Sequence, residues 1–232
     1  MSSQTIKMLS KLRKKLKRFK LDRPKEECGV FGVSDHEDSS ALVALGLHAL
    51  QHRGQEGCGI SSFDGKTFHL EKRQGLVGDH FTDSTTIKKL PGRSAIGHNR
   101  YSTTGEVSLR NVQPFFADLY SSGVSLAHNG NLTNAIELRN NLVKDGAIFR
   151  TTSDTETIVQ LIAKSSRSKM TDKIIDALFQ IQGGYALVMM TNKKLIGIRD
   201  PFGIRPLVIG KLRESFIFAS ETCALDIIGA NF

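Results

Sequence analysis

The sequence predicts an α+β fold in which sheets pack on each other and helices cover the outside. Strand-like and helix-like segments follow one another from residue 28 onward without a linker or a low-complexity break. They run as one strand, one helix, several strands, a group of helices and a closing run of strands, which fits stacked layers better than strict strand–helix–strand repetition. The chain has 232 residues, 39% of them hydrophobic and 24% charged, which is typical of a globular protein.

Strands are predicted from short apolar runs bounded by turn residues. These runs lie at 28–33, 94–105, 123–130, 185–191, 194–200, 206–212 and 215–221. A hairpin over 59–72 is predicted from Asp64-Gly65, a pair that favours tight turns. The last four strands follow each other in series, so the C-terminal part of the chain is expected to form β-sheet.

Helices are predicted at 39–54, 133–145, from Ser153 and at about 171–182. The first is apolar nearly all round, which predicts burial between layers. We expect Ser39 or Ser40 to be its N-cap and Gly54 to end it. The third begins with Ser153-Asp154-Thr155-Glu156, which has the form of a capping box.

The positive charge of the chain is concentrated in its first 27 residues. These hold ten Lys or Arg and three Asp or Glu, a net charge of +7, whereas residues 28–232 carry only +2. Leu9, Leu12, Leu16 and Phe19 fall at helical spacing, so a basic amphipathic helix is one option for this tail. Because the body is nearly neutral, we expect no nucleic-acid partner, and we interpret the tail as a disposable extension without the apolar segment of a secretory signal.

Membrane insertion and a disulfide framework are not expected. No apolar run approaches the roughly 18 residues of a membrane helix. Cys28, Cys58 and Cys223 are odd in number and widely scattered, which indicates neither paired disulfides nor a zinc motif. The sequence therefore predicts no metal site and no membrane partner, and a reducing, cytoplasmic location is the default.

Four segments place polar groups where a strand or loop ends, at 28–29, 98–103, 128–131 and 153–156. Singly, each has an ordinary structural explanation. A lone cysteine is usually a small buried hydrophobe, an Asn-Gly pair is a common turn, and an acid in a first helical turn is favoured by the helix dipole.

Together these segments form a working set for amide hydrolysis. Cys28 can supply the nucleophile, and Asn129 with the Gly130 N–H can supply donors to a developing oxyanion. Arg100 can bind an α-carboxylate in a bidentate pair, and Asp154 can accept from an α-ammonium. The set therefore fits a zwitterionic amino acid with a side-chain amide.

The base for Cys28 is left open by the residues alone. His98 and His128 are candidates for a Cys–His pair, and the sequence favours neither. Alternatively, cleavage before Cys28 would give it a free α-amine with a pKa near 8, which is close enough to neutrality for the amine to act as base. Residues 1–27 would then be a basic propeptide and 28–232 the mature domain.

The motifs resemble those of the N-terminal-nucleophile (class II) glutamine amidotransferases. They cover essentially all of 27–232 and include LHALQHRGQEGCGI (47–60), GHNRYSTTG (97–105), NVQPF (111–115), AHNGNLTN (127–134), TTSDTE (151–156), RDPFGIRPLVIG (199–210) and FASETCALDIIGA (218–230). The resemblance implies a four-layer αββα sandwich. It also implies that Cys28 attacks glutamine with its own amine as base, Arg100 and Asp154 bind the substrate, and Asn129 and Gly130 form the oxyanion hole.

The RDPFGIRPL and GHNRYSTTG motifs most resemble those of the branch of this family that passes ammonia to a phosphoribosyltransferase half. That half would add it to phosphoribosyl pyrophosphate, giving 5-phosphoribosylamine for purine synthesis. No cofactor is implied for this domain, whereas Mg²⁺ and an iron–sulfur cluster are implied for the other half, as is a homo-oligomer at full length. Two alternatives stay open, a sister enzyme of the glucosamine-6-phosphate synthase type and an inactive, unprocessed fragment that acts as a binding module.

The sequence departs from the family pattern in two places. No phosphoribosyltransferase-type phosphate loop follows the glutaminase motifs, so we expect this chain to be one half of a longer or split enzyme. Cys58 stands where Ala or Ser is expected, and we interpret it as a packing variant. Cys223 is likewise expected to be structural.

Overall fold

A computed structural model describes residues 27–101, 108–120 and 122–232. The expectations for the tail at 1–26, and for the part of the GHNRYSTTG motif at 102–105, lie outside these described residues. Within them the chain forms ten β-strands, seven α-helices and two short 3-10 turns.

The strands, in chain order, are β1 (Gly29–Val33), β2 (Gly57–Phe63), β3 (Phe68–Gln74), β4 (Ser94–Arg100), β5 (Phe115–Leu119), β6 (Ser122–Leu132), β7 (Gly183–Thr191), β8 (Leu195–Arg199), β9 (Val208–Leu212) and β10 (Ser215–Ala219). The helices are α1 (Ser39–Ala49), α2 (Val77–His80), α3 (Ser84–Lys88), α4 (Ala135–Lys144), α5 (Asp154–Lys164), α6 (Met170–Leu178) and α7 (Cys223–Asp226). The 3-10 turns are Gln51–Arg53 and Leu109–Asn111.

The strands form two antiparallel sheets. One has six strands in the order β3-β2-β4-β1-β10-β9, and the other has four in the order β5-β6-β7-β8. The four closing strands predicted in series therefore divide, since β7 and β8 join the smaller sheet while β9 and β10 join the larger. Chain order alone does not reveal this exchange between sheets.

Alternation along β1 shows how the layers stack. Phe31 belongs to the core between α1 and the six-stranded sheet, whereas its neighbour Val30 belongs to a separate core between the two sheets. Gly46 of α1 lies against the Phe31 ring so closely that a Cβ there would come within 2.5 Å of it. Because Gly46 has no side chain at this contact, α1 can pack closely against β1.

A third core lies between the four-stranded sheet and helices α4, α5 and α6. It contains Leu126 and Leu187 from the sheet and Ile158 and Ile162 from α5, all fully buried. Helix, sheet, sheet and helix therefore form four layers, and the predicted α+β sandwich of αββα type is confirmed.

Several local expectations were wrong. The N-cap of α1 is Asp38, and Ser39 and Ser40 are buried residues of the first turn, where their hydroxyls donate to the carbonyls of Gly92 and Leu90. The helix ends at Ala49 and continues as a 3-10 turn before Gly54, and Leu45 is 47% exposed. Apolar periodicity cannot show this exposed face or the break in the helix.

The capping box at α5 is half correct. Ser153 is the N-cap, and its hydroxyl accepts from the N–H of Thr155 at 3.3 Å. The Glu156 carboxylate instead accepts from the N–H groups of Arg150 and Thr151, both at 2.8 Å. It therefore fixes the loop that leads into α5.

Strand β5 was not predicted, although the NVQPF motif runs into it.

In the described part of the chain, no helix is long and apolar enough to cross a membrane. Across the same residues, no three His, Cys, Asp or Glu side chains are grouped so that they could hold a metal ion.

Candidate active site

A cavity of about 670 Å³ opens where the ends of β1, β4 and β6 meet the start of α5. Four of the five predicted site residues line it, namely Cys28, Arg100, Gly130 and Asp154. The fifth, Asn129, precedes Gly130 on β6 and is fully buried. Strands from both sheets therefore bring together side chains that are more than a hundred positions apart in the sequence.

Cys28 is held in an unusual backbone conformation. Its φ angle is 64°, in the left-handed region that residues with a side chain rarely adopt. Its N–H donates to the carbonyl of Arg53 at 2.8 Å, and the Arg53 Nε donates back to the carbonyl of Cys28 at 2.7 Å. Arg53 is 1% exposed and also pairs with Glu221. This reciprocal pair fixes both ends of the Cys28 residue, and strain maintained in this way is typical of functional sites.

The Cys28 thiol is a neutral group in this environment. Its sulfur lies 3.4 Å from the backbone nitrogen of Tyr101, which donates to it, and 3.6 Å from the Tyr101 carbonyl, which can accept the thiol proton. Burial raises the pKa of Cys28 above its ordinary value, and the Tyr101 N–H and the nearby charge of Arg100 offset this only in part. A base must therefore remove the thiol proton during attack.

His98 is a weak candidate for that base. Its Nε2 lies 3.1 Å from the His128 carbonyl, to which it must donate, since a carbonyl can only accept. Burial lowers the pKa of His98 to about 3, so the ring is neutral at physiological pH. Neither His98 nor His128 forms a hydrogen bond with the Cys28 sulfur. The geometry therefore favours neither member of the Cys–His alternative.

His128 instead belongs to a hydrogen-bond network on the face of β6 that is turned toward α5. Its backbone N–H donates to Gln113 Oε1 at 2.7 Å, which leaves the Gln113 Nε2 to donate to Thr155 Oγ1 at 3.1 Å. The Thr155 hydroxyl lies 3.0 Å from His128 Nδ1 and can donate its proton there. The Thr155 hydroxyl therefore links the His128 ring to the Gln113 side chain. The network fixes the start of α5 relative to β6.

Asn129 and Gly130 are placed as a candidate oxyanion hole. Asn129 shares the face of β6 that carries Ala127 toward the core between the sheets. Both polar atoms of its side-chain amide are buried and have no hydrogen-bond partner among the described residues. Such an amide is costly unless something else binds it. Gly130 has φ 143°, and a Cβ there would lie 2.2 Å from the carbonyl oxygen of Gly184, so only glycine fits.

Arg100 and Asp154 contribute opposite charges to the cavity wall. Arg100 is the last residue of β4, and Asp154 is the first residue of α5. The Oδ2 of Asp154 accepts from the Leu132 N–H at 2.9 Å, and its Oδ1 lies 3.7 Å from His128 Nδ1. The carboxylate is therefore oriented by backbone on one side, with 19% of its side chain exposed. The wall can hold an α-carboxylate and an α-ammonium at once.

Three residues of this site were missed by sequence reasoning. Arg53 clamps Cys28, Gln113 connects β6 to α5, and Arg205 lines the cavity. All three fall inside the motifs given above, and Arg205 lies two positions after the turn-forming Asp-Pro-Phe-Gly segment (200–203), which was the available signal. Glu27, the residue before the nucleophile, lines the cavity as well.

The other two cysteines are not part of the site. Cys58 is fully buried in the core under α1, as expected of a packing residue, and burial raises its pKa to about 12. Cys223 is exposed at the start of α7, 3.6 Å from the Glu221 carboxylate, and burial together with that carboxylate raises its pKa. Neither thiol is therefore activated.

The chain resembles known proteins in both sequence and fold. Residues 98–226 match the family model described as the glutamine amidotransferase domain. The chain belongs to this family.

Among similar proteins are amidophosphoribosyltransferases from Rhizobium etli, 59% identical over 207 residues, and from Bacillus subtilis, 44% identical over 208 residues. Each alignment covers 89% of this chain, and they cover 42% and 44% of the relatives respectively. The solved glutamine phosphoribosylpyrophosphate amidotransferase from B. subtilis, complexed with ADP and GMP, superimposes with a TM-score of 0.83 at 43% identity. That match covers 88% of this chain and 44% of the solved one. The chain thus spans less than half the length of these relatives.

Proposed function

We propose that this chain is the glutaminase half of an amidophosphoribosyltransferase. It hydrolyses the side-chain amide of glutamine through a thioester on Cys28 and supplies ammonia to phosphoribosyl pyrophosphate, which yields 5-phosphoribosylamine and pyrophosphate. The observation that carries the proposal is a strained, clamped cysteine in one cavity with a guanidinium, a carboxylate and a candidate oxyanion hole. The resemblance to amidophosphoribosyltransferases over 89% of the chain supports the choice of acceptor.

Substrate binding uses the two charges of the wall. Arg100 pairs with the α-carboxylate of glutamine, and Asp154 accepts from its α-ammonium, which directs the side-chain amide toward Cys28. Since Asp154 already accepts from Leu132, its orientation is set before the substrate arrives. Binding therefore needs little rearrangement on that side of the cavity.

The first chemical step requires that residues 1–27 have been removed. The free α-amine of Cys28 takes the thiol proton, and the sulfur attacks the side-chain carbonyl carbon of glutamine. The oxyanion that forms accepts from the Asn129 amide and the Gly130 N–H. Collapse of the adduct expels ammonia, which receives the proton held on the amine, and leaves a thioester.

Hydrolysis completes the cycle. The α-amine takes a proton from water as the water attacks the thioester, and the Cys28 thiol regains a proton as glutamate forms. Ammonia then displaces pyrophosphate at the ribosyl carbon of phosphoribosyl pyrophosphate in the synthase half. We propose that Mg²⁺ and an iron–sulfur cluster belong to that half, that the full enzyme is a cytoplasmic homo-oligomer, and that it binds neither nucleic acid nor membranes.

The test uses the full-length enzyme with Cys28→Ser. We expect glutamine-dependent formation of phosphoribosylamine to be abolished while synthesis from added ammonia continues. Loss of both activities would mean that Cys28 serves structure. Intact mass provides an independent check, because fully active protein that retained residues 1–27 would rule out the α-amine as base.

The alternatives predict different results in the same preparation. A sister enzyme of the glucosamine-6-phosphate synthase type would aminate fructose 6-phosphate and ignore phosphoribosyl pyrophosphate. A binding module would release no ammonia and would bind nucleic acid or anionic lipid with steep salt dependence after truncation to 28–232. The near-neutral charge of residues 28–232 argues against the second alternative.

A further inference from the structure

The segment that follows β10 is anchored beside the nucleophile. Ser220 forms a reciprocal pair with Val30, which lies two positions after Cys28. The Ser220 hydroxyl accepts from the Val30 N–H at 2.9 Å, and the Ser220 N–H donates to the Val30 carbonyl at 3.0 Å. Further along, Ala224 of α7 is fully buried in the core under α1. The backbone of Glu221 is therefore fixed between these two anchors.

The Glu221 carboxylate is paired with a buried cation. Arg53 is 1% exposed, and its Nη1 donates to Glu221 Oε1. A buried guanidinium is costly unless an opposite charge pairs with it. Burial would raise the pKa of Glu221, but the hydrogen bond and charge of Arg53, together with the contact of His52 at 3.1 Å, lower it below its ordinary value. The carboxylate is therefore ionised at neutral pH and serves as a counter-charge to Arg53.

The same Arg53 guanidinium contacts the nucleophile. Its Nε donates to the Cys28 carbonyl at 2.7 Å, while the Arg53 carbonyl accepts from the Cys28 nitrogen at 2.8 Å. A guanidinium is planar and rigid, so hydrogen bonds to two different partners fix its orientation. Glu221, Arg53 and Cys28 therefore form a relay, in which the carboxylate orients the group that holds the backbone of the nucleophile.

The relay matters most in the mature chain of the proposed function. There Cys28 has no preceding residue, so a peptide bond attaches it on its carboxyl side only. Chain termini are poorly ordered unless other contacts hold them. The contacts with Arg53 act at the nitrogen and at the carbonyl of Cys28, the two ends of the residue that carries both the thiol and the amine. Loosening Arg53 should therefore misplace nucleophile and base together.

On the basis of the function proposed above, we propose that Glu221 is a positioning residue for the nucleophile, and that it acts by orienting the Arg53 guanidinium that holds Cys28. The substrate-binding pair takes no part in this relay, because Arg100 lies at the end of β4 and Asp154 at the start of α5. The expected consequence is that loss of Glu221 lowers kcat while KM for glutamine is retained.

The experiment compares Glu221→Met and Glu221→Gln in the full-length enzyme by ammonia release from glutamine, with Tm measured in parallel. We expect Glu221→Met, which has no acceptor for Arg53, to lower kcat about tenfold while KM changes less than about threefold. Glu221→Gln keeps an acceptor oxygen and should stay within about threefold of the wild-type kcat. Glu214→Met is the matched control, because Glu214 is an exposed glutamate that pairs with Lys211 at the other end of β10.

A double-mutant cycle tests whether Glu221 acts through Arg53. In an Arg53→Met background, adding Glu221→Met should change kcat less than about twofold, because the group that Glu221 orients is already gone. This double variant leaves no arginine at position 53 to pair, so it tests the relay even where Glu221→Met alone does not fold. Independent, multiplying losses of kcat would overturn the proposal. So would a Glu221→Met enzyme with the kcat of Glu214→Met, or one that lost activity through KM.

Hydrogen exchange separates this inference from the proposed function. If the wild-type enzyme released no ammonia from glutamine, the proposed function would fail. The relay would still be tested by the exchange rate of the Cys28 N–H, read by NMR in protein that retains residues 1–27. That N–H donates to the Arg53 carbonyl, so it should exchange about tenfold faster in Glu221→Met than in wild type or Glu221→Gln. Equal exchange rates in all three proteins would refute the relay.

Discussion

Replacing Gly130 by alanine gives the sharpest test of the candidate oxyanion hole. A Cβ at this position would lie 2.2 Å from the Gly184 carbonyl oxygen and 2.7 Å from the Tyr185 Cα, both backbone atoms that cannot rotate away. The residue also has φ 143°, which an alanine adopts only with strain. The β6 backbone must therefore shift, and the Gly130 N–H must move with it.

The expected magnitude follows from what that N–H does. Removal of one oxyanion donor typically lowers kcat about 10²- to 10³-fold, and we expect Gly130→Ala to fall in this range. The matched control is Gly146→Ala, because Gly146 also has a positive φ, 91°, but has nothing within 4 Å of the added Cβ. That control should cost about 1 kcal/mol of stability, a fall in Tm of roughly 2–4 °C, with kcat unchanged.

The assay is ammonia release from glutamine by the full-length enzyme, with Tm measured in parallel. If Gly130→Ala retained the kcat of Gly146→Ala, the Gly130 N–H would have no part in catalysis. If both lost activity in proportion to Tm, the effect of Gly130 would be on folding alone. A kcat loss of 10²-fold or more at modest change in Tm is the result that the geometry predicts.

Other substitutions test the rest of the site. Arg53→Met should lower kcat about tenfold or more with little change in KM, because it releases the Cys28 carbonyl while leaving Arg100 and Asp154 in place; a rise in KM alone would contradict this. Asp154→Asn should instead raise KM for glutamine at least about tenfold, since a neutral amide binds an ammonium weakly, and Cys28 alkylation by iodoacetamide should continue at a wild-type rate. For His98, the folded pKa of about 3 lies below the ordinary value of 6.5, so the unfolded state binds more protons between these limits. The free energy of unfolding should therefore decrease as pH falls from about 6.5 toward 3, and His98→Gln should flatten that dependence in urea titrations; an equal slope in both proteins would exclude His98 as its source.

The layered fold could be predicted because it follows from local patterns. Consecutive apolar residues such as Val30 and Phe31 predict a strand buried on both faces, and turn pairs such as Asp64-Gly65 mark where strands reverse. These signals lie within a few positions of each other in the sequence. The assignment of β9 and β10 to the larger sheet could not be predicted, since it depends on which strands meet after the chain folds.

The site could be predicted only in its chemically distinctive members. Cys28, Arg100 and Asp154 are reactive or charged residues at the ends of secondary-structure elements, and their combination indicates amide hydrolysis. Arg53 gave no comparable signal, since its partner Glu221 lies 168 positions away and charged residues are ordinarily exposed. The early end of α1 also serves this contact. The helix gives way to the 3-10 turn at Gln51–Arg53, which brings the Arg53 carbonyl to the Cys28 nitrogen.

The reciprocal pair between Cys28 and Arg53 also bears on how the enzyme would be activated. The Cys28 nitrogen has a proton to donate to Arg53 both as a peptide N–H and as a free amine, so the same hydrogen bond can exist on either side of cleavage. Activation would then convert the Cys28 nitrogen from a peptide N–H to an amine in a domain that is already folded, without a folding transition. The precursor should therefore share the unfolding temperature of the mature domain, and the onset of activity should follow bond scission without delay.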